Sequence, residues 1–509
     1  MINEIYNRTL NYLDNISKEE RKEIGQFFTQ PSIAIYMASL MTINKNSIRI
    51  LDAGAGSGIL TSALCQKCLK NNNIENIEVI LYENNETVLP LLRESMELIS
   101  TIMEEDNKNF RYQIVSKNFI LDNESFWKGI KEKEEEELFD IVISNPPYKK
   151  IRKNDNEAIV MKDIVHGQPN IYFLFMAMSA KLLKANGEMI FINPRSFTSG
   201  AYFKEFRKWF LDNVKITDIH LFNNRGNVFK SDKILQETLI LKAKKTDKEI
   251  KTINITTSPD DSFNNITKLT VCKNILIDKT TDDKYILIPT NQEELEVLNL
   301  FNSWNNNLES LGFKISTGKV VDFRATEFLT EKKNEYTVPL LWASNFNNNR
   351  IIHPIKREKT PQYILLNEKS KSLLIENKDY ILIKRFTSKE EAKRVQCALY
   401  FTKQFNYNYI GVENHLNYIY KVNGDFSKEE LYGLFTVLNS SFVDKYYRIL
   451  NGSTQVNAGE MNAVPLPSLE KIINIGQIAL NQSNITVEFC DKIIEDFFIN
   501  QNKYFKSVI

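Results

Sequence analysis

The sequence predicts an α/β protein: a doubly wound mixed sheet over residues 48–245, followed by a mixed α+β region over 246–509. Three observations lead there. Between residues 48 and 244, short runs rich in Ile, Val and Leu alternate with longer helical patterns, the rhythm of strand and helix units around a largely parallel sheet. The runs are almost continuously apolar, so helices are expected on both faces of the sheet. Beyond about residue 245 that rhythm gives way to an aromatic-rich mixed pattern interrupted by Asn-rich stretches such as NFNNNR (345–350).

Taken in order, residues 1–47 form an N-terminal helical segment. The strands that follow are IRILDA (48–53), EVILYE (78–83), RYQIVS (111–116), FDIVIS (139–144), EMIFIN (188–193), ITDIHLF (216–222) and ETLILKA (237–243). Helical patterns cover 57–70, 84–100, 170–185 and 202–213. The charged stretch KAKKTDKEIK (242–251) reads as the connector to the second region, and no repeat of fixed period is present. In a sheet of this kind, ligands bind beyond the carboxyl ends of the strands.

Composition excludes several classes. With 42% hydrophobic and 25% charged residues, the 509-residue chain is neither disordered nor fibrous. Its formal net charge is only +1, yet residues 301–420 hold 18 Lys and Arg against 12 Asp and Glu, so a basic face is available for a polyanion. Five scattered cysteines fit a reducing compartment, and the C-x-x-C pair Cys65/Cys68 has no second pair or His cluster to complete a metal site. The N-terminus lacks the basic and apolar regions of a signal peptide, and the longest apolar stretch, IYFLFMAM (171–178), is too short for a membrane span. A cytoplasmic protein without a membrane partner is expected.

The first strand runs into LDAGAGSGIL, which carries Asp52, Gly54, Gly56 and Gly58. Glycines at a strand-to-helix turn let the backbone approach a ligand and set helix N–H groups beside it. One strand–helix unit later, Glu83 stands where an acid hydrogen-bonds a ribose. Together these residues predict a cofactor containing adenosine. NAD and S-adenosylmethionine both satisfy that pattern.

The fourth strand ends in Asn145-Pro146-Pro147-Tyr148. An exocyclic amine on adenine is a poor nucleophile because its lone pair is delocalised into the ring. Two acceptors that take its N–H protons orient the nitrogen toward a methyl donor. The Asn145 side-chain oxygen is one acceptor, and the Pro146 carbonyl, held by consecutive prolines, is the other. Tyr148 offers a flat face on which a base stacks, worth about 1–3 kcal/mol.

With these motifs in this order, the chain resembles the gamma-class adenine-specific DNA methyltransferases of the N-6 DNA methylase family, and its layout is most similar to the PstI/BsuBI-like modification enzymes. The specific motifs cover roughly residues 20–245. The resemblance implies a Rossmann-like S-adenosylmethionine-dependent methyltransferase domain over 48–245 and a DNA target-recognition domain over 246–509. It implies a methyl group passed from S-adenosylmethionine to a flipped adenine in duplex DNA, within a restriction-modification system whose nuclease is encoded separately. RKEIGQFFTQPSIAIYMASLM (21–41) is similar to the family segment that closes over the methionine end of the cofactor, with Gly25, Phe27, Phe28 and Thr29 leading into Pro31 at a helix start. SKNFILDN carries Asn118-Phe119 where the family usually has Asp-Phe; the acid binds the amino group of the cofactor's adenine and the aromatic packs on its ring. An Asn oxygen accepts that hydrogen bond without a charge, which implies weaker binding. RGNVFKSDKILQETLILK (225–242) resembles the segment whose aromatic packs on the extruded base, which assigns Phe229 to substrate along with Pro147.

In the second half, basic and aromatic residues interleave in TGKVVDFRATEF (317–328), HPIKREKTPQY (353–363) and IKRFTSKEEAKR (383–394). NGSTQVNAGEMNAVPLP (451–467) resembles the segment that closes recognition domains in this family, with Gln455 or Asn457 placed to reach a base. Enzymes that use the same four residues on a release-factor glutamine or a ribosomal guanine are typically shorter and lack such a region. The same motifs would also suit a non-catalytic specificity module that keeps a cofactor pocket, or a methyltransferase fused to a nuclease.

Overall fold

The computed structural model describes residues 1–15, 28–222, 237–279, 281–356, 360–387, 391–451 and 455–499. The chain forms two compact units, one of Met1–Ile277 with Asp283–Thr290 and one of Asp278–Asp282 with Asn291–Ile509. No helix among the described residues is long and apolar enough to cross a membrane.

The first unit is built on a nine-stranded sheet. Its strands are β1 (Ser47–Ala53), β2 (Asn76–Tyr82), β3 (Asn109–Val115), β4 (Phe139–Ser144), β5 (Leu183–Pro194), β6 (Lys215–Phe222), β7 (Thr238–Lys244), β8 (Thr252–Ser258) and β9 (Thr267–Cys272). They lie in the order β3-β2-β1-β4-β5-β7-β6-β8-β9. β1 pairs in parallel with both β2 and β4, and β4 with β5. β7 is antiparallel to β5 and to β6 on either side of it. The strand order reverses between β1 and β4, which opens the ligand crevice at their carboxyl ends. All seven expected strands are present within a few residues of their expected bounds.

β4 is buried at every position, and the helix Ile171–Lys181 is buried from Tyr172 to Ala180. One continuous core joins the helices Pro31–Ser39, Ile59–Leu69 and Leu89–Glu105 to the sheet through Ile33, Met37, Leu64, Met96, Ile50 and Ile143. Pro31 opens the first of these helices, as expected, since a proline at the first helical position gives up an N–H that has no partner there.

The sheet continues past residue 245. β8 pairs in parallel with β6 and β9 runs antiparallel to β8, so these strands belong to the first unit. The lysine-rich stretch that reads as a connector is structural at its start. Lys242 is buried in β7, where its ammonium sits 3.3 Å from the Glu188 carboxylate and donates to the Leu40 carbonyl at 2.7 Å. Glu188 also accepts from the Thr42 backbone N–H at 2.8 Å, from the Thr42 hydroxyl, and from Lys244 at 2.7 Å. A buried carboxylate satisfied on this scale ties the end of the Pro31–Ser39 helix to the sheet.

The second unit is mixed α+β. One six-stranded sheet runs Phe313–Thr317, Leu416–Lys421, Tyr380–Lys384, Cys397–Tyr400, Arg350–Ile351, Phe346–Asn347. A five-stranded sheet runs Leu329–Thr330, Tyr363–Leu365, Thr337–Leu341, Tyr409–Val412, Leu374–Glu376. Helices at Lys428–Leu438, Ser441–Leu450, Leu469–Ala479 and Val487–Ile494 follow. The first has a reciprocal cap in which Ser427 accepts from the Glu430 N–H and Glu430 from the Ser427 N–H.

Candidate active site

A cleft of about 410 Å³ lies at the carboxyl ends of β1, β2 and β4. Its floor is the turn after β1. The Gly54 and Ala55 N–H groups both donate to the Tyr82 carbonyl at 2.9 Å, which folds the turn over the end of β2. Gly56 has φ +56, a conformation that costs a residue with a side chain roughly 1–2 kcal/mol. A Cβ there would also meet the Phe28 ring at 3.5 Å. Gly54 and Gly56 line the cleft; Gly58 does not, and packs instead against Met96 and Leu92 of the Leu89–Glu105 helix.

Glu83 follows β2 and lines the cleft with only 8% of its surface exposed. Its carboxylate accepts from the Gly56 N–H at 3.0 Å and the Asn85 N–H at 2.8 Å. Burial raises its pKa, and these backbone donors counter the shift. A carboxylate offers about four lone-pair sites, so with the Asn84 N–H also engaged there is acceptor capacity left for a hydroxyl.

Asp52 lies beneath this floor. It is fully buried, does not line the cleft, and accepts from the Thr61 hydroxyl at 2.7 Å. Its second oxygen has no hydrogen-bond partner among the described residues. Burial pushes its carboxyl up to about 7, against the lowering effect of the Thr61 hydrogen bonds, with nearby Glu83 adding to the rise. Because the folded-state pKa lies above the ordinary 3.8, the unfolded chain ionises first as pH rises. Stability is therefore full below about 4 and falls progressively up to about 7. Thermal melts of wild type against Asp52→Asn across pH 4–8 should show wild type losing stability relative to the variant over that interval; parallel curves would refute the assignment.

On the opposite wall, Asn118 follows β3 and caps the short helix Phe119–Asp122. Its side-chain oxygen accepts from the Ile120 N–H at 3.0 Å and the Leu121 N–H at 3.2 Å. Its amide nitrogen donates to Glu157 Oε1 at 2.7 Å. Phe119 is buried against Phe175, with ring centroids 5.0 Å apart, and both line the cleft.

Asn145 and Pro146 stand at the mouth of β4, and Pro147 and Lys149 extend the lining. The Asn145 amide is held at both ends: Nδ2 donates to the Thr29 hydroxyl at 3.1 Å, and Oδ1 accepts from the Tyr148 hydroxyl at 2.8 Å. The Tyr148 hydroxyl is also 3.0 Å from the Ile192 carbonyl. The Pro146 carbonyl carries no hydrogen bond among the described residues. Tyr148 is not itself part of the lining; its ring packs toward the core and meets Tyr172 edge-on at 6.3 Å. Burial raises the pKa of its hydroxyl, so it stays a donor at neutral pH.

Phe28 and Thr29 line the cleft beside the glycines, with Phe28 edge-on to Tyr12 at 6.0 Å. Gly25, Phe27 and Phe229 lie outside the described residues. Of the site residues expected from sequence, Phe28, Thr29, Gly54, Gly56, Glu83, Asn118, Phe119, Asn145, Pro146 and Pro147 share this one cleft. The lining also includes Phe175, Lys149, Asp155 and Glu157, none of them singled out from sequence. Phe175 sits in an apolar stretch indistinguishable from core, and Glu157 in a polar stretch, RKNDNEAIV, with no periodic signal.

A model of the family described as Eco57I restriction-modification methylase matches residues 32–229. The Type II methyltransferase M.BsuBI of Bacillus subtilis is 36% identical over 491 residues, 95% of either chain. M.PstI of Providencia stuartii is 32% identical over 455 residues, 89% of each. M.AccI of Acinetobacter calcoaceticus is 28% identical over 236 residues, 45% of this chain and 38% of its own. The cleft joins the glycine turn, Glu83 and the Asn145-Pro146-Pro147 turn, and the M.BsuBI likeness runs nearly end to end; the chain belongs to the family of Type II methyltransferases.

Proposed function

We propose that the protein is a site-specific DNA adenine methyltransferase that uses S-adenosylmethionine, the modification enzyme of a restriction-modification system with a separately encoded nuclease. The observation that carries this reading is the doubly anchored Asn145 amide next to the Pro146 carbonyl, on a cleft that also holds Glu83.

The donor set of the cleft fits the cofactor. Glu83 retains acceptor capacity for a ribose hydroxyl, Gly54 and Gly56 leave room for close approach, and Phe28, Phe119 and Phe175 supply apolar surface. When bound, S-adenosylmethionine supplies a methyl group on a positively charged sulfur. The chain's own residues do the rest. The Asn145 side-chain oxygen, oriented by the Tyr148 hydroxyl, is the first acceptor for a substrate amine. The Pro146 carbonyl is the second acceptor, fixed in place by its proline neighbours. With both N–H bonds engaged, the adenine amine points its nitrogen in one direction.

A base stacked in a duplex cannot enter a cleft of this kind, and extruding it costs a few kcal/mol. Pro147, which lines the cleft, and Phe229 are assigned to receive the flipped adenine, while Tyr148 acts through its hydroxyl on Asn145. The DNA itself is held by the second unit, through the basic and aromatic segments at 317–328, 353–363 and 383–394.

Incubation of the full chain with methyl-tritiated S-adenosylmethionine and duplex DNA tests the proposal. Label should appear as N6-methyladenine at one short sequence. Label on cytosine, or only in RNA or protein, overturns it. Tyr148→Phe tests the hydroxyl of that residue: losing one hydrogen bond to Asn145 should lower kcat about tenfold with cofactor affinity unchanged. An unaltered kcat would leave Tyr148 with its ring alone.

A further inference from the structure

The wall formed by Asn118 raises a question of hydrogen-bond capacity. An adenine amine is purely a donor, so whatever recognises it must be an acceptor. Both lone pairs of the Asn118 oxygen are engaged by the Ile120 and Leu121 N–H groups, and its nitrogen can only donate. Asn118 therefore has nothing to offer an amine. What it does instead is donate to Glu157 Oε1 at 2.7 Å. That bond fixes a carboxylate which lines the same cleft as Phe119 and Phe175 and whose Oε2 carries no hydrogen bond among the described residues.

We infer that Glu157 is the acceptor for the exocyclic amine of the cofactor's adenine, and that Asn118 is its positioning residue. The inference rests on the proposed use of S-adenosylmethionine and deepens it. The negative charge that a carboxylate at position 118 would bring is delivered from the helix Asn156–Val160, one cleft wall away, while the amide at 118 holds that carboxylate and caps its own helix at the same time. A charged acceptor makes a bond about twice as strong as a neutral one, so the site selects an amine over a bare ring position. Asp155 is the other carboxylate on this part of the lining, and one of its oxygens is already used by the Arg152 N–H at 2.8 Å.

The test is a thermodynamic cycle on the full chain, read by titration calorimetry. Two probes are used: S-adenosylhomocysteine, and its 6-deamino analogue in which hydrogen replaces the amine. Wild type should bind the deamino compound about tenfold more weakly, the size expected for one charge-assisted hydrogen bond. Glu157→Gln keeps the oxygen that Asn118 holds and turns the other one into a donor. It should bind the two compounds within about twofold of each other, and the deamino compound with wild-type affinity, which also shows that the cleft is intact. Asp155→Asn should keep the wild-type preference. An amine preference of the same size in wild type and Glu157→Gln overturns the inference, as does wild type without any preference. Failure of wild type to bind S-adenosylhomocysteine at all would overturn the cofactor reading instead, so the two failures are distinguishable.

Discussion

Asn145→Ala should lower kcat for methyl transfer by on the order of 10²–10³, the cost of removing one preorganised hydrogen-bonding group from a reacting centre. Cofactor affinity should stay within a few fold of wild type, because the Asn145 amide bonds to Thr29 and Tyr148 while Glu83 holds the glycine turn. Single-turnover assays on duplex DNA with saturating cofactor measure the first quantity, and calorimetry with S-adenosylhomocysteine the second. The variant also takes from the Tyr148 and Thr29 hydroxyls the partner they share. Asn145→Asp is a sharper probe, because it keeps the Tyr148 bond while replacing the donor that faces Thr29 with a second acceptor. If Asn145→Ala kept most of its turnover, the amide would be a structural tie and not an acceptor for the nucleophile.

Glu83→Ala should show the opposite division of effects. It removes a carboxylate that holds the Gly56 and Asn85 N–H groups and that is proposed to accept from a ribose hydroxyl. Hydrogen bonds to charged groups contribute about 1.5–3 kcal/mol each, so cofactor affinity should fall on the order of 100-fold. At saturating cofactor, kcat should recover to within a few fold of wild type, because the Asn145 amide is anchored independently by Thr29 and Tyr148. Glu83→Gln, which retains one acceptor, should fall between. An affinity unchanged by Glu83→Ala would separate the acid from the ribose and leave it only the turn to hold.

Much of the catalytic fold was legible because parallel strands buried on both faces must be apolar almost throughout, as β4 is. β8 and β9 escaped the same reading. In TINITTS the two Ile alternate with Thr and Asn, and most of β9 is exposed, so neither strand carries a continuous apolar signal. The stretch 242–251 misled for a different reason. Lysines in sequence read as solvated, yet Lys242 is paired with Glu188 inside the sheet and Lys245 donates to the Lys181 and Leu183 carbonyls. Pairings across such distances in the chain leave no local trace.

At the site, residues that form contiguous motifs were readable, since Gly54, Gly56 and Asn145 through Pro147 are grouped by the turns they build. What sequence did not convey is how hydrogen-bonding capacity is divided among neighbours. The identity of residue 118 leaves open that its oxygen is consumed by capping. The partnership with Glu157 spans 39 positions and exists only after folding. Asp52, adjacent to the glycines in sequence, lies under the floor because alternate side chains of a strand point to opposite faces.

The hydrogen bond between Thr29 and Asn145 links stretches 116 positions apart. The Asn145 amide donates to Thr29, and the neighbouring Phe28 lies against the glycine turn, so two adjacent residues ahead of the Pro31 helix touch both motifs. Under the proposed reaction, the placement of the acceptor and the wall of the donor's compartment would therefore be set by one short stretch of chain.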